Sequence, residues 1–230
     1  MNICFMDSGV GGYATYLAFC DLIAKNEYKS KLNLLYFADF AHSPYGSKSR
    51  KEICNLLYRN VESLFKAHAI DIFVLACNTA TACAIKELRA RFPSIKFVGV
   101  EPAIKQATAS SKSVLVLTTS ATYFHSAYIH SHINKGGNNN RKSNAKIYFL
   151  PLTSTARKID THINDPKYLS YLAQQLLAPF IPHNIRNIVL GCTHYNFLAP
   201  HILALFPNVH LFEPSRAVAR QVFSQIKVDN

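Results

Sequence analysis

The sequence predicts an α/β protein in which mostly parallel strands are flanked by helices. Short apolar runs alternate with longer amphipathic ones, the pattern of β-α units that close a parallel sheet. A weak internal repeat, Asp71-Ile-Phe-Val-Leu-Ala-Cys77-Asn78-Thr79 against Asn187-Ile-Val-Leu-Gly-Cys192-Thr193-His194, points to two related halves. With 49% hydrophobic and only 17% charged residues, the chain is too apolar to stay solvated as a disordered or fibrous polymer. Its 230 residues fit one large domain or two small ones sharing an interface.

Strands are expected at Asn2–Met6, Leu32–Ala38, Ile70–Ala76, Ile95–Val100, Val114–Thr118, Lys146–Leu150, Asn187–Gly191 and Val209–Phe212. A helix is predicted to start at Tyr13. A second follows the second strand, where Ile53, Leu56, Leu57, Val61, Leu64 and Phe65 recur at three- and four-residue spacing. The stretch from Asn134 to Lys142 has no apolar residue and reads as an exposed connection that interrupts a domain.

Met1 to Met6 run straight into Asp7, without the charged start and long apolar stretch of a signal peptide. No apolar run approaches the roughly 18 residues of a membrane-spanning helix. A soluble cytoplasmic protein with no membrane partner is expected. The six cysteines (4, 20, 54, 77, 83 and 192) show neither Cys-x-x-Cys pairs nor Cys-His clustering, so neither disulfides nor a metal site are expected. The formal charge of +12 can steer anions, but Lys and Arg are scattered. Their densest stretch, Lys135 to Lys146, reads as a solvated loop, and a nucleic-acid partner is not indicated.

The chemistry gathers at strand ends, where open α/β sheets bind ligands. Cys77 and Cys192 each end a buried-type strand. Facing each other across a cleft, two thiols suit proton removal from one face of a carbon and proton return to the other, because an unperturbed thiol pKa near 8.5 is easily tuned to either form. The plainer alternative is that both are buried packing residues. Asn78 and Thr79 after Cys77, and Thr193 and His194 after Cys192, offer amide and hydroxyl donors for carboxylates. The His194 imidazole can exchange a proton with Cys192 or stabilise its thiolate.

The first strand ends in Asp7-Ser8-Gly9-Val10-Gly11-Gly12, whose glycines allow close backbone approach to a ligand. It lacks the Gly-Lys-Ser/Thr ending and the G-x-G-x-x-G spacing of nucleotide loops. Asp7 reads as a carboxylate that orients a thiol or binds an ammonium group, or as a helix cap. The second strand leads through Asp39 into Ser43-Pro-Tyr45-Gly46-Ser-Lys-Ser49, a turn-rich loop presenting an aromatic hydroxyl.

Five segments in order resemble the cofactor-independent aspartate/glutamate racemases: Asp7 to Gly12, Pro44 to Ser49, Leu75-Ala-Cys-Asn-Thr-Ala80, Gly99-Val-Glu-Pro-Ala-Ile-Lys105 and Gly191-Cys-Thr-His-Tyr195. The Cys-Asn-Thr and Cys-Thr-His-Tyr pair favours the glutamate branch. The resemblance implies two pseudo-symmetric α/β domains around a cleft, divided at residues 1–94 plus 209–230 (the Cys77 side) and 95–208 (the Cys192 side). It implies racemisation of glutamate without pyridoxal phosphate or metal, for peptidoglycan, in a homodimer. By carry-over Cys77 and Cys192 are the catalytic pair and Asp7 and His194 assist them. Ser8, Tyr45, Gly46, Asn78, Thr79, Thr122 and Thr193, with Asp7 and His194, bind substrate.

Two departures stand out. Family members usually carry a Glu after a Pro-Leu pair, thought to hold the active-site histidine, but here Pro151-Leu152 leads into Thr153-Ser154. Near the C-terminus, Glu213-Pro214-Ser215 replaces the family's Asp-Ser. Both put efficiency and substrate choice in question. The competing readings are a racemase of another acidic amino acid such as aspartate, and a catalytically silent protein that binds an acidic amino acid or nucleic acid.

Overall fold

The computed structural model describes residues 1–26, 32–110, 113–135 and 146–227. All eight expected strands form, with ends shifted by one or two residues: β1 (Asn2–Asp7), β2 (Asn33–Ala38), β3 (Ile72–Leu75), β4 (Lys96–Gly99), β5 (Ser113–Thr119), β6 (Lys146–Leu152), β7 (Asn187–Gly191) and β8 (His210–Phe212). In the first half, α1 (Tyr13–Lys25), α2 (Arg50–Ala67) and α3 (Asn78–Arg91) connect the strands in turn. The second half contains α4 (Ile104–Ser110), α5 (Ser120–His125), α6 (Ala127–Lys135), α7 (Thr155–Thr161), α8 (Pro166–Leu177) and α9 (Ala199–Leu205), and α10 (Ser215–Lys227) follows β8. Residues 136–145, most of the expected basic connection, lie outside the described residues.

The strands form two four-stranded parallel sheets, ordered β2-β1-β3-β4 and β6-β5-β7-β8. The second order repeats the first, which gives the repeat seen in the sequence its structural meaning. The central strands read as continuous apolar runs because helices cover both faces of each sheet. Ile72, Phe73, Val74 and Leu75 of β3 are wholly buried. One face of the first sheet packs on α2 and α3 through Ile53, Leu57, Val61 and Leu88. The other packs on α1 and α10 through Phe19, Ile23, Val218 and Val222. In the second sheet, α7, α8 and α9 cover one face and α4 and α6 the other. Each fully buried aliphatic contributes about 1.5–3 kcal/mol.

The expected α2 stripe is realised, with Ile53, Leu56, Leu57, Val61 and Leu64 all buried. Ser49 starts the helix, its hydroxyl accepting from the Glu52 N–H at 3.2 Å.

The division expected at 94/95 and 208/209 does not follow the sheets. β4 pairs with β3 in the first sheet, and β8 with β7 in the second. Each completes the β-α-β unit that precedes it, through α3 and α9 respectively, because a parallel strand reached by a short helical crossover returns beside its predecessor. The chain therefore leaves the first lobe after Gly99 and returns to it with α10. Among the described residues no helix is long and apolar enough to cross a membrane.

Candidate active site

In each sheet successive crossovers leave the first strand in opposite directions, so a crevice opens beyond the carboxyl ends of β1/β3 and of β5/β7. The register brings the expected residues to these crevices. Met6 pairs with Leu75 and Asp7 with Ala38, so Asp7, Asp39 and Cys77 leave the first sheet at one edge. Thr118 pairs with Gly191, placing Thr119 and Cys192 at the matching edge of the second.

Cys77 caps the N-terminus of α3, where its sulfur accepts from the Ala80 N–H at 3.5 Å and its thiol reaches Ser8 Oγ at 3.8 Å. Burial, then the negative charge of Asp7, drives its pKa well above the ordinary thiol value, against the helix N–H and the Ser8 hydroxyl. The charge of Cys192, from the other lobe, adds to the upward push on Cys77. Asp7 is wholly buried, accepting from the Gly9 N–H at 3.0 Å and the Thr193 hydroxyl at 3.3 Å. Burial raises its pKa, opposed by the charge of His194 and by bonds from Gly9, Gly12 and Cys77.

On the other face Cys192 Sγ lies 3.9 Å from His194 Nδ1. The second ring nitrogen, Nε2, is 3.2 Å from Asp160 Oδ1 of α7. The alignment falls short of a hydrogen bond and leaves Nε2 without a hydrogen-bond partner, but the Coulomb attraction depends on distance and persists. Burial opposes a charge on His194; Asp160, Cys192 and Asp7 outweigh it and hold the imidazole pKa well above its ordinary value. A cationic imidazole beside a sulfur can hand it a proton or favour its thiolate.

The lobes meet around these groups. Hydroxyls of Thr79, Thr119 and Thr122 form a triangle with sides of 3.0, 3.1 and 2.8 Å that joins α3 to the end of β5 and α5. Gly11 lies so close to Thr193 that a Cβ would come within 2.6 Å of its backbone, which is why the loop after β1 tolerates no side chain there. Asn78 is buried with both ends of its side-chain amide unpartnered, as is the Thr118 hydroxyl. Buried polar groups are almost always paired, so the Asn78 amide, next in sequence to Cys77, is an exception among the described residues.

The fold thus gathers Asp7, Ser8, Asn78, Thr79, Thr122, Thr193, His194 and both thiols at one seam. Tyr45 departs from expectation. Its hydroxyl donates to Asp39 Oδ2 at 2.6 Å rather than being presented by the loop, because burial in the first lobe leaves Asp39 as its partner. Asn60 and His42 bond the same carboxylate at 2.9 and 2.7 Å. Tyr45 therefore anchors the loop that carries Gly46, which packs against Thr119 of the other lobe. No carboxylate stands directly after Pro151-Leu152. Thr153 bonds Ser120 at 2.9 Å, while Asp160 stands beside His194. Sequence reasoning missed Asp160 and Thr119 and gave Asp39 and Ser43 no role beyond their loop; an acid near the end of a short amphipathic helix carries no local mark of its partner. Among the described residues no group of three or more His, Cys, Asp or Glu side chains is arranged to hold a metal ion.

Residues 29–222 match the Asp/Glu/Hydantoin racemase family. The chain is 35% identical over 223 residues to a glutamate racemase of Pseudomonas putida, and 36% identical over 219 residues to one of Ectopseudomonas mendocina. Each alignment spans 94% of this chain and 78% of the relative. Among solved structures, Escherichia coli glutamate racemase in complex with L-glutamate and the activator UDP-MurNAc-Ala superposes with a TM-score of 0.79 and 28% identity, over 96% of this chain and 80% of that one. Likeness of this extent, along nearly the whole chain, makes the protein a member of the Asp/Glu/hydantoin racemase family, in its glutamate racemase branch.

Proposed function

We propose that the protein interconverts L- and D-glutamate, with Cys77 and Cys192 as the acid and base on opposite faces of the α-carbon, and so supplies D-glutamate for peptidoglycan in the cytoplasm. The observation that supports this reading is the pair of strand-end thiols from separate lobes, one beside Ser8 and the other beside His194, with the unpartnered amide of Asn78 next to the first. Substrate carboxylates would satisfy that amide, and the buried Asp7 carboxylate suits the ammonium group.

In one direction the Cys192 thiolate, formed beside the His194 imidazolium, takes the α-proton; the electron pair left on carbon then takes a proton from the Cys77 thiol on the far face. The reverse direction exchanges the roles. The upward push on Cys77 keeps it in the thiol form at rest, and one protonated and one deprotonated sulfur is the state such a reaction needs. We read the assembly as a homodimer; light-scattering mass in solution tests this.

Incubation with L-glutamate in D₂O should give α-deuteration and loss of optical rotation, and a parallel run with aspartate should give far less. Cys77→Ala and Cys192→Ala should each abolish racemisation, since one thiol cannot serve both faces. Normal turnover in either variant would end the two-thiol assignment, and preferred aspartate turnover would change the substrate.

A further inference from the structure

We propose that Asp160 is the positioning residue for the second face, holding His194 with Nδ1 turned to the Cys192 sulfur, while Ser43 from the opposite lobe fixes the other oxygen of the same carboxylate. The chemistry this serves rests on the reading above, but the arrangement itself can be tested without turnover.

Three independent observations carry it. First, Asp160 Oδ1 is 3.2 Å from Nε2 of a histidine that is 2% exposed, while its Oδ2 accepts from the Ser43 hydroxyl at 3.4 Å. The two oxygens of one carboxylate thus serve an imidazole of its own lobe and a hydroxyl of the other. Second, the seam is crowded where they meet: a Cβ on Gly9 would lie 3.0 Å from Ser43 Oγ and 3.3 Å from His194 Nε2. Third, Asp160 sits in the last turn of α7, where helix carbonyls disfavour an anion. A carboxylate placed against local preference needs a compensating cation, and residues that break local rules concentrate at functional sites.

In this ring Nδ1 faces the sulfur at 3.9 Å, and Nε2 faces the carboxylate at 3.2 Å and is attracted to it by charge. The anion at Nε2 therefore sets both ring orientation and charge, as a buried Asp does for the histidine of a serine protease. The charged or titratable groups facing His194 are Asp160 from α7, Cys192 at the end of β7 and Asp7 from β1. Removing Asp160 leaves two sources of support, so the imidazole should lose part of its upward shift.

The experiment is an NMR titration of isotope-labelled histidine in the substrate-free protein, comparing wild type, Asp160→Asn, Asp160→Glu and Ser43→Ala. Because the Asp160 side chain is 32% exposed, the Asn variant should fold, which circular dichroism verifies. Asp160→Asn should move the His194 midpoint down and Asp160→Glu should restore it in part. Ser43→Ala, which leaves the charge in place, should barely move it. On glutamate, Asp160→Asn should lower kcat by about tenfold, less than the roughly 10²–10⁴-fold that a group transferring the proton itself contributes. KM should change little, and the pH limb lost on raising pH should shift to lower pH. An unmoved His194 midpoint in folded Asp160→Asn, or an equal shift in Ser43→Ala, would overturn the assignment. A wild type that leaves glutamate unchanged would instead sink the functional reading while the titration still decides the role of Asp160.

Discussion

Replacing Gly46 with Ala tests whether the seam between the lobes is as closely fitted as the structure indicates. An alanine Cβ would lie 2.5 Å from Thr119 Cγ2 and 2.8 Å from Thr119 Cβ, whereas carbon atoms pack at about 3.5–4.0 Å. Thr119 cannot swing aside cheaply: its hydroxyl bonds those of Thr79 and Thr122 at 3.0 and 2.8 Å and caps the Thr122 N–H at 3.1 Å. Overpacking of this kind costs about 1–3 kcal/mol. At roughly 2–4 °C per kcal/mol for a chain of this size, the Tm should fall by about 2–12 °C. Calorimetry gives the Tm and polarimetry on glutamate the rate, which should fall as the lobes are wedged apart. Thr119→Ser removes the clashing methyl and keeps the hydroxyl, so the double variant should recover part of both losses, with a coupling of about 0.5 kcal/mol or more. Strictly additive losses, or a Gly46→Ala protein with unchanged Tm and rate, would refute the reasoning.

Other expectations follow from the buried polar groups and thiols. Tyr45→Phe removes the 2.6 Å bond to Asp39 and should cost about 1.5–3 kcal/mol in urea unfolding at pH 7, the range for hydrogen bonds to charged groups. Burial works against the charge of Asp39, but bonds from Tyr45, His42 and Asn60 outweigh it and lower its pKa. Its stabilisation is therefore complete above the ordinary carboxylate value near 4 and lost as pH falls through the lower folded value. Asp39→Asn should be less stable at pH 7 and lose less stability on acidification; identical acid limbs would contradict this. Burial pushes Cys4 and Cys83 up to about 12, leaving a thiolate fraction on the order of 10⁻⁴ at pH 8. Iodoacetamide followed by peptide mass mapping should label the partly exposed Cys20 well before either.

The sequence by itself determined the strands, the parallel α/β class and the two strand-end thiols. An apolar run, its terminating turn and the residue at that terminus are local features, and backbone hydrogen bonding plus burial leave them few alternatives. The repeat around Cys77 and Cys192 likewise survives as the shared strand order of the two sheets. Only the tertiary structure decided that β4 and β8 complete the sheets before them, that the Tyr45 hydroxyl belongs to Asp39, and that Asp160 rather than a residue after Leu152 stands beside His194. Those pairings join residues from different helices and lobes, and a side chain's partner depends on how the closed chain brings distant elements within a few ångströms. A carboxylate on α7 looks the same in one dimension whether it meets water or a buried imidazole; the folding of α7 against the loop after β7 makes the difference.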